Sequence, residues 1–229
     1  MRNSKVMVGL VAAGLLTAGC GSDGSSSASG GDKAQKALPV AVDGPQKDVR
    51  KRGDDNIKVT PAPKPGAPLT EQVEHRLREA VLLDVKVPGE TSATCPGGVT
   101  QKAGAVTQCT VTYAGAEIPY EVKISDSYTK GSMITSYTTT PQKVVLVAKV
   151  MYDLLYERYG AESGRDDASR LACEELPVAK AVDWESDTGY TCQYWNKHAN
   201  GGDGGYRTLR ITTGPAGYNT PGFEEVEAD

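Results

Sequence analysis

Cys20 decides what the other cysteines of this chain can become. It closes the stretch Leu16-Thr17-Ala18-Gly19-Cys20, which reads as a lipobox: a Leu, small residues, and a Cys that becomes the new N-terminus after cleavage. Upstream, Arg2 and Lys5 form a short basic region, and Val6 to Leu16 is an apolar run of eleven residues. That is the layout of an export leader. A membrane-spanning helix needs about 20 apolar residues, and Gly21-Ser22-Asp23-Gly24 ends this run too early. The leader predicts that residues 1–19 are removed and that Cys20 carries lipid on the extracytoplasmic face of the cell membrane. Each buried CH2 of an acyl chain contributes about 0.8 kcal/mol, so an anchor of two or three chains holds where one would not. Outside the cytoplasm thiols oxidise, and Cys95, Cys109, Cys173 and Cys192 then read as two disulfides. Three pairings are formally open.

Charge removes one class of partner. The leader takes Arg2 and Lys5 with it, leaving 23 basic against 29 acidic residues. A nucleic-acid binder carries a basic patch or stripe, so nucleic acid is not an expected partner. Apolar residues make up 38% of the chain with a single Phe, which limits the core, and eleven Tyr and two Trp supplement it.

Residues 20–68 read as a linker behind the lipidated Cys20. Gly21 to Asp32 is almost wholly Gly, Ser, Ala and Asp and cannot bury enough surface to offset chain entropy. Leu38-Pro39-Val40-Ala41-Val42 has strand-like residues, but Pro39 and its polar flanks argue against a strand. The basic run Val49-Arg50-Lys51-Arg52 reads as a solvated charge cluster, and Pro61 to Pro68 as a polyproline spacer. At about 3 Å per residue such a linker reaches past about 100 Å.

A first α+β unit is expected over 69–140. Thr70 is a plausible N-cap, and Val73, Leu77, Ala80 and Val81 form one apolar face of a helix. Val106 to Tyr113 alternates polar and apolar residues, as do Ile118, Tyr120, Val122 and Ile124, the signature of half-buried strands. Pro119 marks an edge or a bulge. Met133 to Thr140 is the expected third strand.

A second unit is expected over 141–223, followed by an acidic tail, 224–229. Val144, Val147, Ala148, Met151, Leu154 and Leu155 make a helical stripe that stops at Tyr159-Gly160. Thr191-Cys192-Gln193-Tyr194 stands where Gln108-Cys109-Thr110-Val111 stands in the first unit. The first cysteines lie 78 residues apart and the second 83, the spacing of a diverged tandem repeat. The fold class expected is therefore α+β, with two tandem units, each an N-terminal helix on an antiparallel meander.

Residues 69–126 resemble a small domain of unknown function known chiefly from actinobacterial lipoproteins and membrane proteins. The resemblance rests on a helix followed by Cys95-Pro96-Gly97, Val99, Gly104, Cys109, Val111, Gly115 and Tyr120-x-Val122-x-Ile124. It implies that Cys95 pairs with Cys109, that the protein belongs to the cell envelope, and that no catalytic residue is known. A Cys173–Cys192 pair closes the corresponding short loop of the second unit.

The chain offers little chemistry. A zinc site needs three or four converging ligands, and the only histidines, His75 and His198, stand alone on a polar helix face and in a Gly-rich loop. Asn200 to Gly205 lacks both P-loop and calcium-loop spacing and reads as a flexible hairpin. Asp166-Asp167 and Glu174-Glu175 read as solvated loop acids. No metal, cofactor or enzymatic activity is expected. Tyr194, Trp195 and Tyr206 form an aromatic group of the kind enriched at binding hot spots. Tyr194 and Trp195 are adjacent in one strand and must face opposite sides, so one belongs to the core and the other to a binding face. These observations point to a non-catalytic binding or accessory module for a surface protein, peptide or wall component. An enzyme inhibitor is the alternative, by architectural analogy with β-lactamase inhibitory proteins, and an envelope enzyme is a remote third reading. Replacing the lipid-bearing residue, Cys20→Ala, should release the protein from the membrane fraction or block its processing. Unchanged membrane retention and cleavage in cell fractionation would refute the anchor.

Overall fold

Alternation of buried and exposed side chains sets most of the strands. The computed structural model describes residues 36–50 and 58–226. The leader, Cys20, the whole Gly/Ser run, Lys51 and Arg52 of the basic run and residues 227–229 lie outside the described residues. In chain order the elements are β1 (Val40–Ala41), α1 (Leu69–Val85), β2 (Thr91–Thr94), β3 (Val106–Tyr113), β4 (Ala116–Ile124), β5 (Tyr137–Pro141), β6 (Val144–Val147), α2 (Ala148–Tyr159), β7 (Ala168–Cys173), β8 (Ala179–Val182), β9 (Asp187–Asn196), β10 (Gly205–Thr212) and β11 (Gly222–Glu225). The α+β class holds: few helices, and strands that all pair antiparallel.

The first sheet has the order β2-β3-β4-β5. Its inward residues Cys109, Val111, Tyr113, Ile118, Tyr120 and Val122 pack with Val73, Leu77, Val81 and Val85 of α1. Thr70 is not the helix cap. The cap position is Pro68, and Thr70 Oγ1 instead accepts a hydrogen bond from Val99 N at 2.9 Å. Glu74 Oε1 accepts one from Cys95 N at 2.8 Å. The polar face of α1 is thus occupied in holding the turn after β2. Pro119 sits inside β4, opposite Thr110. Its carbonyl accepts from Gln142 N at 2.8 Å, so its missing N–H faces the β5 side, beyond the last β4–β5 register pair, Tyr120↔Pro141. The β3–β4 ladder is not interrupted. The third strand is shorter than the sequence predicted: it begins at Tyr137, and Met133 and Ile134 lie in the loop before it.

The second sheet has the order β1-β7-β9-β10-β11. Its buried residues Cys173, Cys192, Tyr194, Leu209 and Ile211 pack with Met151, Leu155 and Tyr159 of α2. Two boundary expectations need correction here. The linker does not run to residue 68: Val40 and Ala41 pair with Cys173 and Ala172, and Val42 N donates to Leu171 O at 2.9 Å. Val42 is buried in the second core and Val59 in the first. Pro39 is compatible with this because β1 is an edge strand that begins after it. At the other end, Glu224 and Glu225 are not tail residues but members of β11, paired with Arg210 and Leu209.

Val144–Val147 is a strand rather than the start of the second helix. All four residues are buried, and they pair with β8 as a separate two-stranded ribbon. Val145 and Val147 belong to the first core, Val144 and Leu146 to the second. The ribbon is the wall between the cores, and the described residues form one compact unit.

Both disulfides join directly opposed residues of neighbouring strands. Cys173 and Cys192 are register partners of β7 and β9, with a Cα separation of 3.9 Å. Cys95 follows β2 and continues its register to Cys109 of β3, with a Cα separation of 4.2 Å.

A polar contact links α1 to the connection between β10 and β11. Asn219 Nδ2 donates to Asp84 Oδ1 at 3.0 Å. Burial raises the Asp84 pKa above the ordinary carboxylate value, and the Asn219 hydrogen bond opposes the shift. Asn219 Oδ1 is buried and makes no hydrogen bond. A raised folded-state pKa contributes stability that is fully present below the unfolded value of about 3.9 and is lost as pH rises through the folded value. Asp84→Asn removes that loss and brings an N–H donor next to the Asn219 oxygen. Its melting temperature should exceed that of the parent at pH 7 and match it below about pH 4, as measured by thermal denaturation across pH.

Candidate functional site

The end of β9 separates two adjacent aromatic residues. Tyr194 faces α2 and is 2% exposed. Its ring stacks on Tyr159 with centroids 4.4 Å apart and planes at 20°. Its hydroxyl donates to Glu225 Oε2 at 3.1 Å. The Arg165 guanidinium lies 5.0 Å from the Tyr159 ring and 5.3 Å from the Tyr194 ring. Asp167 fixes that guanidinium: Arg165 Nε and Nη2 donate to its two oxygens at 3.0 and 2.7 Å, and Asn196 Nδ2 adds a third bond at 3.1 Å. These bonds, Arg165 foremost, hold the Asp167 carboxyl down at about 2. Burial pushes the Tyr194 phenol up, helped by the Glu225 charge. Tyr194 therefore leaves the set of candidate binding residues. Its sequence neighbours gave no sign of which side α2 would cover, and the Arg165–Asp167 clamp went unnoticed because the acids read as solvated.

Trp195 takes the opposite face, as alternation requires. It is flanked in register by Ser169 of β7 and Tyr206 of β10, and it meets the Tyr206 ring edge-on at 5.1 Å and 86°. The β7–β9 register shifts between Ser169 and Ala172. Within that irregularity Arg170 takes a left-handed φ of 49° and sets its guanidinium 4.9 Å over the Trp195 ring. The indole also lies against Gly204, where a Cβ would come within 2.7 Å of its six-membered ring. A side chain at 204 would displace the indole. On the same face follow Thr191 and Gln193 of β9 and Thr208 and Arg210 of β10. Gln193 is 3% exposed, and its Nε2 has no hydrogen-bond partner. The result is a half-buried Trp–Tyr pair with a cation above it and an unsatisfied amide donor beside it.

The Gly-rich loop next to this pair is ordered by its own hydrogen bonds. His198 N donates to Asn196 Oδ1 at 2.8 Å, Gly204 N to Ala199 O at 3.1 Å, and Asn200 Nδ2 to Gly204 O at 3.1 Å. The loop is the hairpin connection between β9 and β10, closed by the Gly205↔Asn196 pair. Three of the other residues weighed for chemistry have structural partners. His75 Nε2 lies 2.9 Å from Val59 O, Glu174 Oε2 accepts from Thr191 N at 2.7 Å, and Asp166 pairs with Lys197 at 2.8 Å. Among the described residues no group of three or more His, Cys, Asp or Glu side chains is arranged to hold a metal ion. Comparison with known proteins returns no matching family, no similar curated protein and no similar solved structure, so the resemblance of residues 69–126 rests on the residues quoted for it.

The geometry separates core from surface by mutation. Tyr194→Ala should cost about 3–5 kcal/mol in urea unfolding, the range for deleting a buried aromatic ring. Tyr194→Phe keeps the stacked ring and removes the hydroxyl that bonds the Glu225 carboxylate, and should cost less, about 1.5–3 kcal/mol. Equal losses in the two variants would contradict the stacked-core assignment.

Proposed function

We propose that the mature chain is a lipid-anchored protein of the extracytoplasmic membrane face, built from two tandem α+β units, that binds a surface protein, peptide or wall component without catalysing a reaction. The observation that carries this reading is the Trp195–Tyr206 pair on the side of the second sheet away from α2, with Arg170 over the indole. Trp, Tyr and Arg are the residues that dominate binding energy at interfaces, and here a rigid sheet presents all three. The tandem reading draws support from chain order. The first sheet follows α1 as β2-β3-β4-β5, and the second follows α2 as β7-β9-β10-β11, with β8 diverted to the ribbon. In each, the disulfide joins the first strand of the run to the second. Among the described residues no helix is long and apolar enough to cross a membrane; in this proposal Cys20 is the point of attachment.

Crosslinking in intact cells followed by mass spectrometry tests the binding face. Trp195→Ala and Tyr206→Ala should each abolish the crosslinked species while lowering the melting temperature far less than Tyr194→Ala. Crosslinks that survive both substitutions would sink this face as the binding surface.

A further inference from the structure

One end of the first sheet concentrates apolar side chains where solvent should be. Met133 is fully exposed at 102%, Ile134 at 79% and Val106 at 51%. These are three of the six exposed large apolar residues among the described part of the chain. They sit together because two loops share this end. Gln101 Nε2 donates to Thr135 Oγ1 at 2.8 Å, and Ile124 N to Ala105 O at 2.9 Å. The loop that carries Met133 and Ile134 is also tied internally. Tyr128 N donates to Ser125 O, Ser132 N to Thr129 O, and Ser125 N to Ser136 O, at 3.0, 3.0 and 2.9 Å. Met133 and Ile134 are thus displayed on a hydrogen-bonded hairpin tip. Around them the charge is inverted relative to the whole chain. The protein has a net charge of −4, yet this end carries Lys102, Lys123 and Lys130 against Asp126 alone, and Asp126 is paired with Lys123 at 3.0 Å. Lys102 and Lys130 are exposed.

We propose that this end is a membrane-contacting finger, in which Met133 and Ile134 enter the interfacial layer of an anionic bilayer while Lys102 and Lys130 meet its headgroups. Two apolar side chains cannot supply the roughly 1,600 Å² that a stable protein interface buries. A bilayer makes no such demand, because apolar area gains about 25 cal/mol per Å² there without a shape-matched partner. Basic residues add to this near an anionic surface. The contact is weak by itself and rests on the lipid-anchored reading for its effect, since a tether raises the local concentration of bilayer. Its consequence is orientation: with the finger down, the anchored fold presents a fixed face outward.

The full chain is purified from membranes and reconstituted in vesicles, and its intact mass shows whether Cys20 is acylated. Met133→Trp then reports the finger. Because Met133 is fully exposed, the change does not challenge folding, and Val178→Trp, at a site 74% exposed elsewhere, is the control. Brominated acyl chains should quench the Met133→Trp emission and the emission should shift to the blue in phosphatidylglycerol vesicles. Both effects should weaken in phosphatidylcholine vesicles, and Val178→Trp should show neither. An unshifted, unquenched Met133→Trp overturns the proposal. So does a blue shift that persists without lipid and grows with protein concentration, which would seat the finger on a second copy. If the mass shows no acylation, the anchor reading fails separately, and the same variants are added to preformed vesicles.

Discussion

Four residues, Val144–Val147, make one fold of two cores. A strand has two faces, and this one gives both to the interior. Val145 and Val147, with Ala181 and Ala179 opposite them, close the first core. Val144 and Leu146, with Val182, close the second. Both cores thus draw on the same backbone segment, and α2 next to it also reaches both, through Val150 into the first and Met151 and Leu155 into the second. Full burial of a Val or Leu contributes about 1.5–3 kcal/mol, and here that gain divides between two clusters. Register matters because the facing residues differ in size. A one-residue slip would turn each side chain of β6 to the other core, exchanging Ala179 and Ala181 for Lys180 and Val182 as cross-strand partners.

Around that wall each disulfide pins a strand that leads out of its sheet into an irregular segment. β2 has four residues, and the segment joining it to β3 is irregular. β7 carries a register irregularity and leads into a loop that leaves the sheet for the ribbon. In both places the disulfide joins opposed residues of neighbouring strands, Cys95 just past β2 to Cys109 of β3 and Cys173 of β7 to Cys192 of β9. Loops of 14 and 19 residues' separation correspond to about 3 kcal/mol each in the chain-entropy account. A glutamate supports each bridge. Glu74 accepts from the amide of Cys95 itself, and Glu174, next to Cys173, accepts from the amide of Thr191, next to Cys192. Carboxylates bonded to backbone N–H groups in this way are among the stronger hydrogen bonds available.

What the sequence made legible follows from period. α1 and the strands β3 and β4 were readable because each buries one face, so their apolar residues recur at one spacing. β6 was not, because four apolar residues in succession satisfy a helix face and a strand buried on both sides equally well. β1 was hidden by Pro39 and by its shortness: two residues have no period, and its pairing partner lies more than a hundred residues away. β11 was hidden by Glu224, which is exposed, and Glu225, whose carboxylate turns to the Tyr194 hydroxyl and Arg207, while their backbone completes the sheet. At the candidate site, alternation correctly put Tyr194 and Trp195 on opposite faces. Which of them became core was decided by Tyr159 of α2, a tertiary contact that local sequence does not encode.

The strand at Val40–Ala41 also changes what an anchor at Cys20 can do. A linker running to residue 68 would place the fold past about 100 Å from the lipid. With β1 held at the edge of the second sheet, only residues 21–37 separate Cys20 from the ordered segment that begins at Leu38. Covalent geometry limits that span to about 60 Å even when fully extended. In the anchored state proposed above, the second sheet can rise from the bilayer by little more than its tether and its own width. A partner for the Trp195–Tyr206 face must then come within that distance of the membrane, which favours membrane proteins and inner wall layers over ligands confined to the outer wall.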